Sequence, residues 1–356
     1  MDSHFQTLLD SYATTLSRLQ GHPFFKTAAL QSATAVANLM DTLLMADARE
    51  DPSALLCGLF TRHTAYLKDL LDAKAAFKDA DAPSCGTPPD DTDAIFGSAW
   101  TAFDPKAYDH SVSLVTRRLE ASGITSETIR GKRCFDGGCG VGRLSVALAR
   151  MGAAEVVALD HSEECLDYFR KVLKDTGVAN VTPVRGDATD LGAWPDQSFD
   201  FVATNGVLHH TPDCRKGLLE HMRVTKDGGQ LWIYLYAQGG LYWPVFDALR
   251  GAIGPSMEAS EIKARLFGLG LRPGFVYTFL DNVLAPRTYH TISEVVELLG
   301  REHTLSWREA DGPSVYDNPS RTAGSPLASA LLGPEGEVRM VINRLGRKAR
   351  SVAPGN

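Results

Sequence analysis

The residues best suited to chemistry lie in the segment CFDGGCGVGRLSVALARMG, which begins at Cys134. An apolar run ends at Phe135, an acidic side chain follows at Asp136, and glycines recur at Gly138, Gly140 and Gly142 before a helical pattern. Glycine lets the backbone approach a ligand closely, and the unpaired N–H groups and positive dipole end of the next helix face that ligand. A dinucleotide and S-adenosylmethionine (SAM) both suit such a turn. The dinucleotide fingerprint needs Gly or Ala at its sixth position, but counting from Gly138 that position is Arg143, and from Gly140 it is Ser145. A nicotinamide oxidoreductase therefore loses its main support.

Further polar residues stand where apolar runs end. EVVALDHSEECLDYF places Asp160 and His161 just before Ser162, a good helix cap. A carboxylate at a second strand end can accept both ribose hydroxyls of a nucleoside. VRGDATDL puts Asp187 and Ala188 after a third run, FDFVATNGVLHHTPD ends a fourth at Thr204 and Asn205, and KDGGQLWIYLY carries a glycine turn into a fifth. Any one aspartate after a strand commonly caps a helix or closes a turn. The order and spacing of Asp136, Asp160 and Asp187 together favour a ligand set.

In that order, across roughly residues 95 to 236, these segments resemble the motifs of class I SAM-dependent methyltransferases. The resemblance implies SAM as the cofactor, with no metal, and a Rossmann-like doubly wound α/β sheet of seven strands. It places Asp136, Gly138, Gly140 and Gly142 in the cofactor turn and Asp160 at the ribose, with His161 beside it among the cofactor contacts. Asp187 then lies near the adenine amino group, Ala188 against the ring and Asn205 beside the transferable methyl.

The same resemblance sets expectations for the acceptor side. The loop holding His209 and His210 borders the methyl site, and an imidazole of ordinary pKa about 6.5 suits proton removal from a hydroxyl or thiol at neutral pH. The sequence does not choose between the two. Tyr234, Tyr236, Tyr242 and Trp243 form an aromatic stretch able to wall a substrate pocket and to attract a sulfonium to their π faces, although core packing explains Tyr234 equally well. Tyr289 and His290 precede a helix opened by Thr291 and stand as substrate-side candidates against a plain helix-start role. Trp100 and Tyr108 occupy the approach helix where the family often closes a lid. The fourth motif reads NGVLHH, lacking the Asn/Asp-Pro-Pro-aromatic tetrad for planar amides or adenine amino groups, and no Pro-Cys nucleophile pair occurs. GVLHHTPD instead resembles members acting on small metabolites, so the expected reaction is methyl transfer to a small-molecule hydroxyl, thiol or amine. The competing readings are a SAM-dependent tRNA or protein methyltransferase that docks its substrate on a helical unit, and a non-catalytic SAM-binding protein.

The surrounding elements must hold these residues in place. Apolar residues recur at helical spacing in Phe5, Leu8, Leu9, Tyr12 and Leu16, again in Leu30, Val36, Leu39 and Leu43, and again from Leu56 towards Phe77. These predict an N-terminal helical unit that ends in the Pro- and Asp-rich linker 81–93, giving a first domain over 1–93. Strand and helix patterns then alternate over 94–237, the signature of βαβ units and a mostly parallel sheet. Residues 238–312, with helices near 259–267 and 292–299, read as a cap or insertion, and 313–356 as a C-terminal strand, Glu337 to Leu345, plus tail.

The chain's 356 residues exceed what one ordinary domain needs, in line with that division. Its 36 Lys and Arg against 43 Asp and Glu leave a net charge of −7, so no phosphate backbone is attracted and nucleic acid is not expected as a partner. The longest basic cluster, Arg344, Arg347, Lys348 and Arg350, reads as a solvated tail. The six cysteines form no Cys-x-x-Cys pair and read as reduced thiols. No basic-then-apolar leader and no long apolar run are found, so the expected location is cytoplasmic, away from membranes. The stripes of the N-terminal helices need a partner surface, and a homodimer through them is one expectation.

Overall fold

A computed structural model describes residues 3–20, 25–45, 51–76, 105–254, 257–271, 273–309, 330–333 and 337–347. The expected linker at 81–93, Phe77 and Trp100 lie outside the described residues. The chain forms two compact units. One gathers residues 1–95, 239–286 and 324–336; the other gathers 96–238, 287–323 and 337–356. The segment 238–312 therefore divides at residue 286, and its later part belongs with the sheet.

The sheet unit holds seven strands in the order β3-β2-β1-β4-β5-β7-β6. They are β1 (Arg133–Gly137), β2 (Glu155–Asp160), β3 (Val181–Arg185), β4 (Phe199–Asn205), β5 (Thr225–Tyr236), β6 (His303–Glu309) and β7 (Glu337–Arg347). The first five pair in parallel, and β7 inserts antiparallel between β5 and β6. The order reverses at β1, with Phe135 opposite Val157 on one side and Val202 on the other. In open sheets of this kind the crevice at the carboxyl ends beside that reversal is where ligands bind. One face is an apolar core of Phe135, Val157, Val202, Leu231 and Ile233 with Leu218, Met222, Val295 and Leu299 from helices above it. Continuous apolar strands such as EVVALD follow from burial on both faces.

Local signals set the helix starts in this unit. Ser162 accepts from Cys165 N–H at the start of Glu163–Thr176, and Asp213 accepts from Lys216 N–H at the start of Cys214–Val224. Thr291 and Glu294 cap Ile292–Gly300 reciprocally. Helix Pro105–Ala121 belongs to the same unit, as does Arg143–Arg150 after the glycine turn.

The strand expected over Glu337 to Leu345 extends to Arg347, which corrects the reading of a solvated basic tail there. Arg344 is 1% exposed, and its Nη1 donates to the carbonyls of Met222, Arg223 and Thr225 at 2.7–2.9 Å. Its Nε lies 2.7 Å from an Asp227 carboxylate oxygen. An arginine is tolerated inside because this fork is matched by fixed acceptors. Lys348 and Arg350 lie outside the described residues.

The helical unit contains Ser3–Arg18, Phe25–Met45 and Pro52–Ala76, as the apolar spacing predicts, with Tyr242–Ile253, Ala259–Gly268 and Pro273–Leu284. Phe5, Tyr12, Leu16 and Phe60 are fully buried in it. The Tyr12 hydroxyl lies 2.7 Å from Ser32 Oγ, itself 2.7 Å from His63 Nδ1, so these three side chains partner one another. Among the described residues, no helix is long and apolar enough to cross a membrane.

Candidate active site at the carboxyl edge of the sheet

The glycine turn joins β1 to helix Arg143–Arg150, and Gly138, Gly140 and Gly142 have φ of 83°, 53° and 82°. The two outer glycines face packed side chains. A Cβ on Gly142 would lie 2.0 Å from a Phe169 ring carbon, and one on Gly138 would lie 2.4 Å from Val207 Cγ1. A Cβ on Gly140 meets nothing within 4 Å, so the centre of the turn faces open space. Leu159 O accepts from Gly138 N–H and Cys139 N–H, both at 2.8 Å, which ties the turn to β2.

Two carboxylates support the turn. Asp160 accepts from Gly140 N–H through Oδ2 at 2.7 Å and from Ser162 N–H through Oδ1 at 3.0 Å. Both bonds are local, and a carboxylate offers about four lone-pair positions, so Asp160 retains acceptor capacity. Asp136 is 1% exposed and accepts from Ser145 Oγ at 2.6 Å. Burial pushes its pKa up to about 7; the Ser145 bond opposes the rise and the Asp160 charge adds to it. His161 is exposed, with Nδ1 3.7 Å from Asp160 Oδ1. Asp187 is exposed and closes a tight turn by accepting from Thr189 N–H and Oγ1 at 2.7 and 2.9 Å, while Ala188 is buried in the apolar core.

At the end of β4, Asn205 Oδ1 accepts from Arg118 Nη1 at 3.0 Å, and the Arg118 guanidinium lies 5.6 Å from the centre of the Tyr234 ring. The chain continues into the short 3₁₀ turn Leu208–His210. His209 is fully buried, its ring centroid 3.8 Å from that of Tyr236 and 4.2 Å from that of His210. Neither ring nitrogen of His209 has a hydrogen-bond partner among the described residues. Burial, reinforced by His210, His290 and Arg287, holds its pKa well below the usual histidine range. His210 is half-buried and meets Tyr236 edge-on at 5.4 Å. Tyr289 and His290 are half-buried, and His290 bridges to Ala237 just past β5.

The structure thus gathers Asp136, Gly138, Gly140, Gly142 and Asp160 at one turn, and Asn205, His209, His210, Tyr236 and His290 at the ends of β4 and β5. Tyr108 is buried and donates to Val141 O at 2.9 Å, so its hydroxyl is engaged with the backbone of the glycine turn. Tyr242 and Trp243 belong to the interior of the helical unit. Their rings meet at 4.8 Å and the Tyr242 hydroxyl accepts from Asn282 Nδ2 at 2.7 Å, contacts that account for both by packing.

Sequence reasoning missed several supporting residues. Ser145 anchors Asp136, and its place in the first turn of helix Arg143–Arg150, between Leu144 and Val146, was the available signal. Gly137 stands outside the alternating glycines, yet a Cβ there would fall 1.9 Å from His221 Nε2. His221 Nδ1 lies 2.8 Å from Gly217 O, and burial pushes its pKa down to about 4. No local pattern links Gly137 to a residue so far along the chain. Chemically, the turn offers an open backbone surface with carboxylates at its rim, and the β4 loop offers imidazoles among aromatic rings.

Residues 135–233 match the methyltransferase domain family. The chain is 32% identical over 197 residues to a demethylmenaquinone methyltransferase of Clavibacter sepedonicus, covering 55% of this chain and 71% of that protein. It is 39% identical over 102 residues to a demethylmenaquinone methyltransferase of Geobacillus kaustophilus, where the match takes in 28% of this chain and 43% of that protein. Among solved structures, it is similar to the YcgJ protein of Bacillus subtilis at 18% identity and a TM-score of 0.42, over 68% of this chain and all of that one.

Proposed function

The chain belongs to the class I SAM-dependent methyltransferases, and we propose that its methyl acceptor is a small molecule bearing a hydroxyl or thiol. The observation that carries this reading is the pair His209 and His210, in the turn after β4, the strand next to β1 and its glycine turn, with Tyr236 of β5 beside them. An amine that enters neutral needs no base, whereas a hydroxyl or thiol gains from one. The demethylmenaquinone methyltransferases among the relatives are named for a small-molecule acceptor, which supports the small-molecule part of this reading and not the choice of hydroxyl or thiol.

The residues present fit SAM, because the turn is open at Gly140 and Asp160 keeps acceptor capacity beyond its two local bonds. Bound there, SAM supplies an activated methyl group on a sulfonium. Asp160 accepts the ribose hydroxyls, with His161 at its side. Asp187 presents an exposed carboxylate to the adenine amino group, and Ala188 gives the ring a small apolar neighbour. Gly138 and Gly142 hold the turn closed against Val207 and Phe169, and Asp136 secures the following helix through Ser145. Asn205 marks the methyl end.

Methyl transfer from a sulfonium is an in-line displacement, so the protein contributes alignment and exclusion of water above all. His210 takes the acceptor's proton and passes it to solvent, to which its ring is partly open. His209, kept neutral by burial, backs the His210 ring without adding a second charge. Tyr236 packs against both rings.

The test is a screen of small-molecule fractions, tRNA and protein for methyl uptake from labelled SAM. Label in a small molecule is the expected result; label confined to tRNA or protein overturns the reading. On the acceptor so found, His210→Gln should lower kcat by about 10²- to 10⁴-fold while S-adenosylhomocysteine still binds. Unchanged turnover removes His210 from the reaction.

A further inference from the structure

The 3₁₀ turn that carries the histidine pair is three residues long, too short to satisfy its own carbonyl groups, and such orphan acceptors must find partners elsewhere. The His209 carbonyl finds one in Thr288, whose N–H donates to it at 2.8 Å and whose Oγ1 lies 3.3 Å away. Thr288 Oγ1 also lies 2.9 Å from His290 Nε2. A hydroxyl has a single proton. With that proton directed to the His209 carbonyl, His290 Nε2–H donates to Thr288 Oγ1, and the chain of bonds is complete in one direction. His290 is in turn fixed to the end of β5: its N–H donates to Tyr236 O, and its carbonyl accepts from Gln238 N–H, each at 3.0 Å. Tyr236 is also the residue on which the His209 ring rests. The histidine turn is therefore tied to one strand end twice, by its ring and by its backbone through Thr288.

We infer that Thr288 is a positioning residue that sets the placement of His209 and His210 at the acceptor site, an inference that rests on the reading of His210 as the base. The stacked rings fix the distance of the turn from β5 but leave it free to slide over the face of Tyr236. The Thr288 bonds to a main-chain atom remove that freedom. Small misplacement of a reacting group is costly in rate, so a residue that touches no substrate can still govern turnover. Thr288 is exposed and adds little apolar burial, so a substitution there removes the hydroxyl's bonds to the His209 carbonyl and to His290 and leaves the main-chain N–H bond in place.

The experiment compares the full-length protein with Thr288→Val and Thr288→Ala, which delete the hydroxyl, and with Thr288→Ser, which keeps it. Two deletions are used so that a folding defect in one leaves the other to decide. The first readout is carbethoxylation by diethyl pyrocarbonate, mapped by mass spectrometry with S-adenosylhomocysteine bound. His209 should react slowly in the parent and in Thr288→Ser, and about threefold to tenfold faster in the deletions, the factor expected for one net hydrogen bond. The second readout is turnover of the best acceptor from the screen. Here kcat should fall by a similar factor in the deletions, with KM for SAM within about twofold and recovery in Thr288→Ser. Unchanged His209 labelling in both deletions overturns the inference. So does a fall in kcat that Thr288→Ser fails to restore. The labelling readout does not depend on which residue is the base, so a failure of His210→Gln to lower turnover would remove the base while the positioning of the turn is still judged by labelling.

Discussion

Asp136→Asn is expected to make the cofactor-free protein more stable at pH 8, although it removes an acidic residue from the glycine turn. The carboxylate is 1% exposed, and burial pushes its pKa from an ordinary 3.8 up to about 7. Below about pH 4 it is protonated in both the folded and the unfolded chain, and pH has no leverage through it. Between about pH 4 and 7 the unfolded chain gives up the proton while the folded one keeps it, so stability falls as pH rises. Above about pH 7 both forms are ionised and the deficit is constant. At about 1.4 kcal/mol per pH unit, that window corresponds to about 4 kcal/mol. Asparagine has no proton to lose here and keeps an oxygen to accept from Ser145 Oγ, now 2.6 Å from the carboxylate. The variant should therefore match the parent near pH 4 and exceed it by up to about 4 kcal/mol at pH 8. Urea unfolding at a series of pH values, with hydrogen exchange in β1 and helix Arg143–Arg150 to report on this unit alone, measures the difference. A difference that does not vary with pH, or a variant less stable than its parent at pH 8, would refute the assignment of a buried, protonated Asp136.

Two further outcomes follow from the same turn. Asp160→Asn keeps one acceptor oxygen but turns an amide donor towards either Gly140 N–H or Ser162 N–H; it should cost about 1.5–3 kcal/mol of stability and weaken S-adenosylhomocysteine binding about ten- to hundredfold by calorimetry. Unchanged affinity would move the ribose site elsewhere. Gly142→Ala and Gly140→Ala should part company. The first combines a φ of 82° with a Cβ 2.0 Å from the Phe169 ring and should cost about 3–5 kcal/mol in urea unfolding. The second has open space before it and should cost only about 1–2 kcal/mol while lowering S-adenosylhomocysteine affinity at least about tenfold. Equal stability losses would mean that the turn does not present Gly140 to a ligand.

The contrast between those glycines shows why the sequence was informative about the turn and silent about its surroundings. Alternating glycines after an apolar run declare a backbone that must adopt positive φ, because the requirement is local and only glycine meets it without strain. The alternation of strand and helix patterns declares the parallel sheet for the same reason, and Ser162, Asp213 and Thr291 cap helices where their types suggest. Residues 242–253 and 273–284 were hidden because aromatic and glycine content masked their helical spacing, with Pro244 tolerated in the first turn, where its missing N–H costs nothing. Strand β6 was hidden because only Leu305 and Trp307 mark its apolar face, between polar residues at every other position, too few to stand out as a strand.

The acceptor side divides along the same line. That His209 and His210 flank a strand end is legible from NGVLHHTPD, but which ring is buried depends on Tyr236, a residue brought there by the next strand. Thr288 carries no signal at all, since a threonine before a helix start is unremarkable until its partner, a carbonyl far back in the chain, is known. Chemistry that resides in one segment's backbone can be read from composition and spacing. Chemistry that resides in a contact between segments, as the placement of a base does, becomes visible only when the sheet has put β4, β5 and the Thr288 segment side by side.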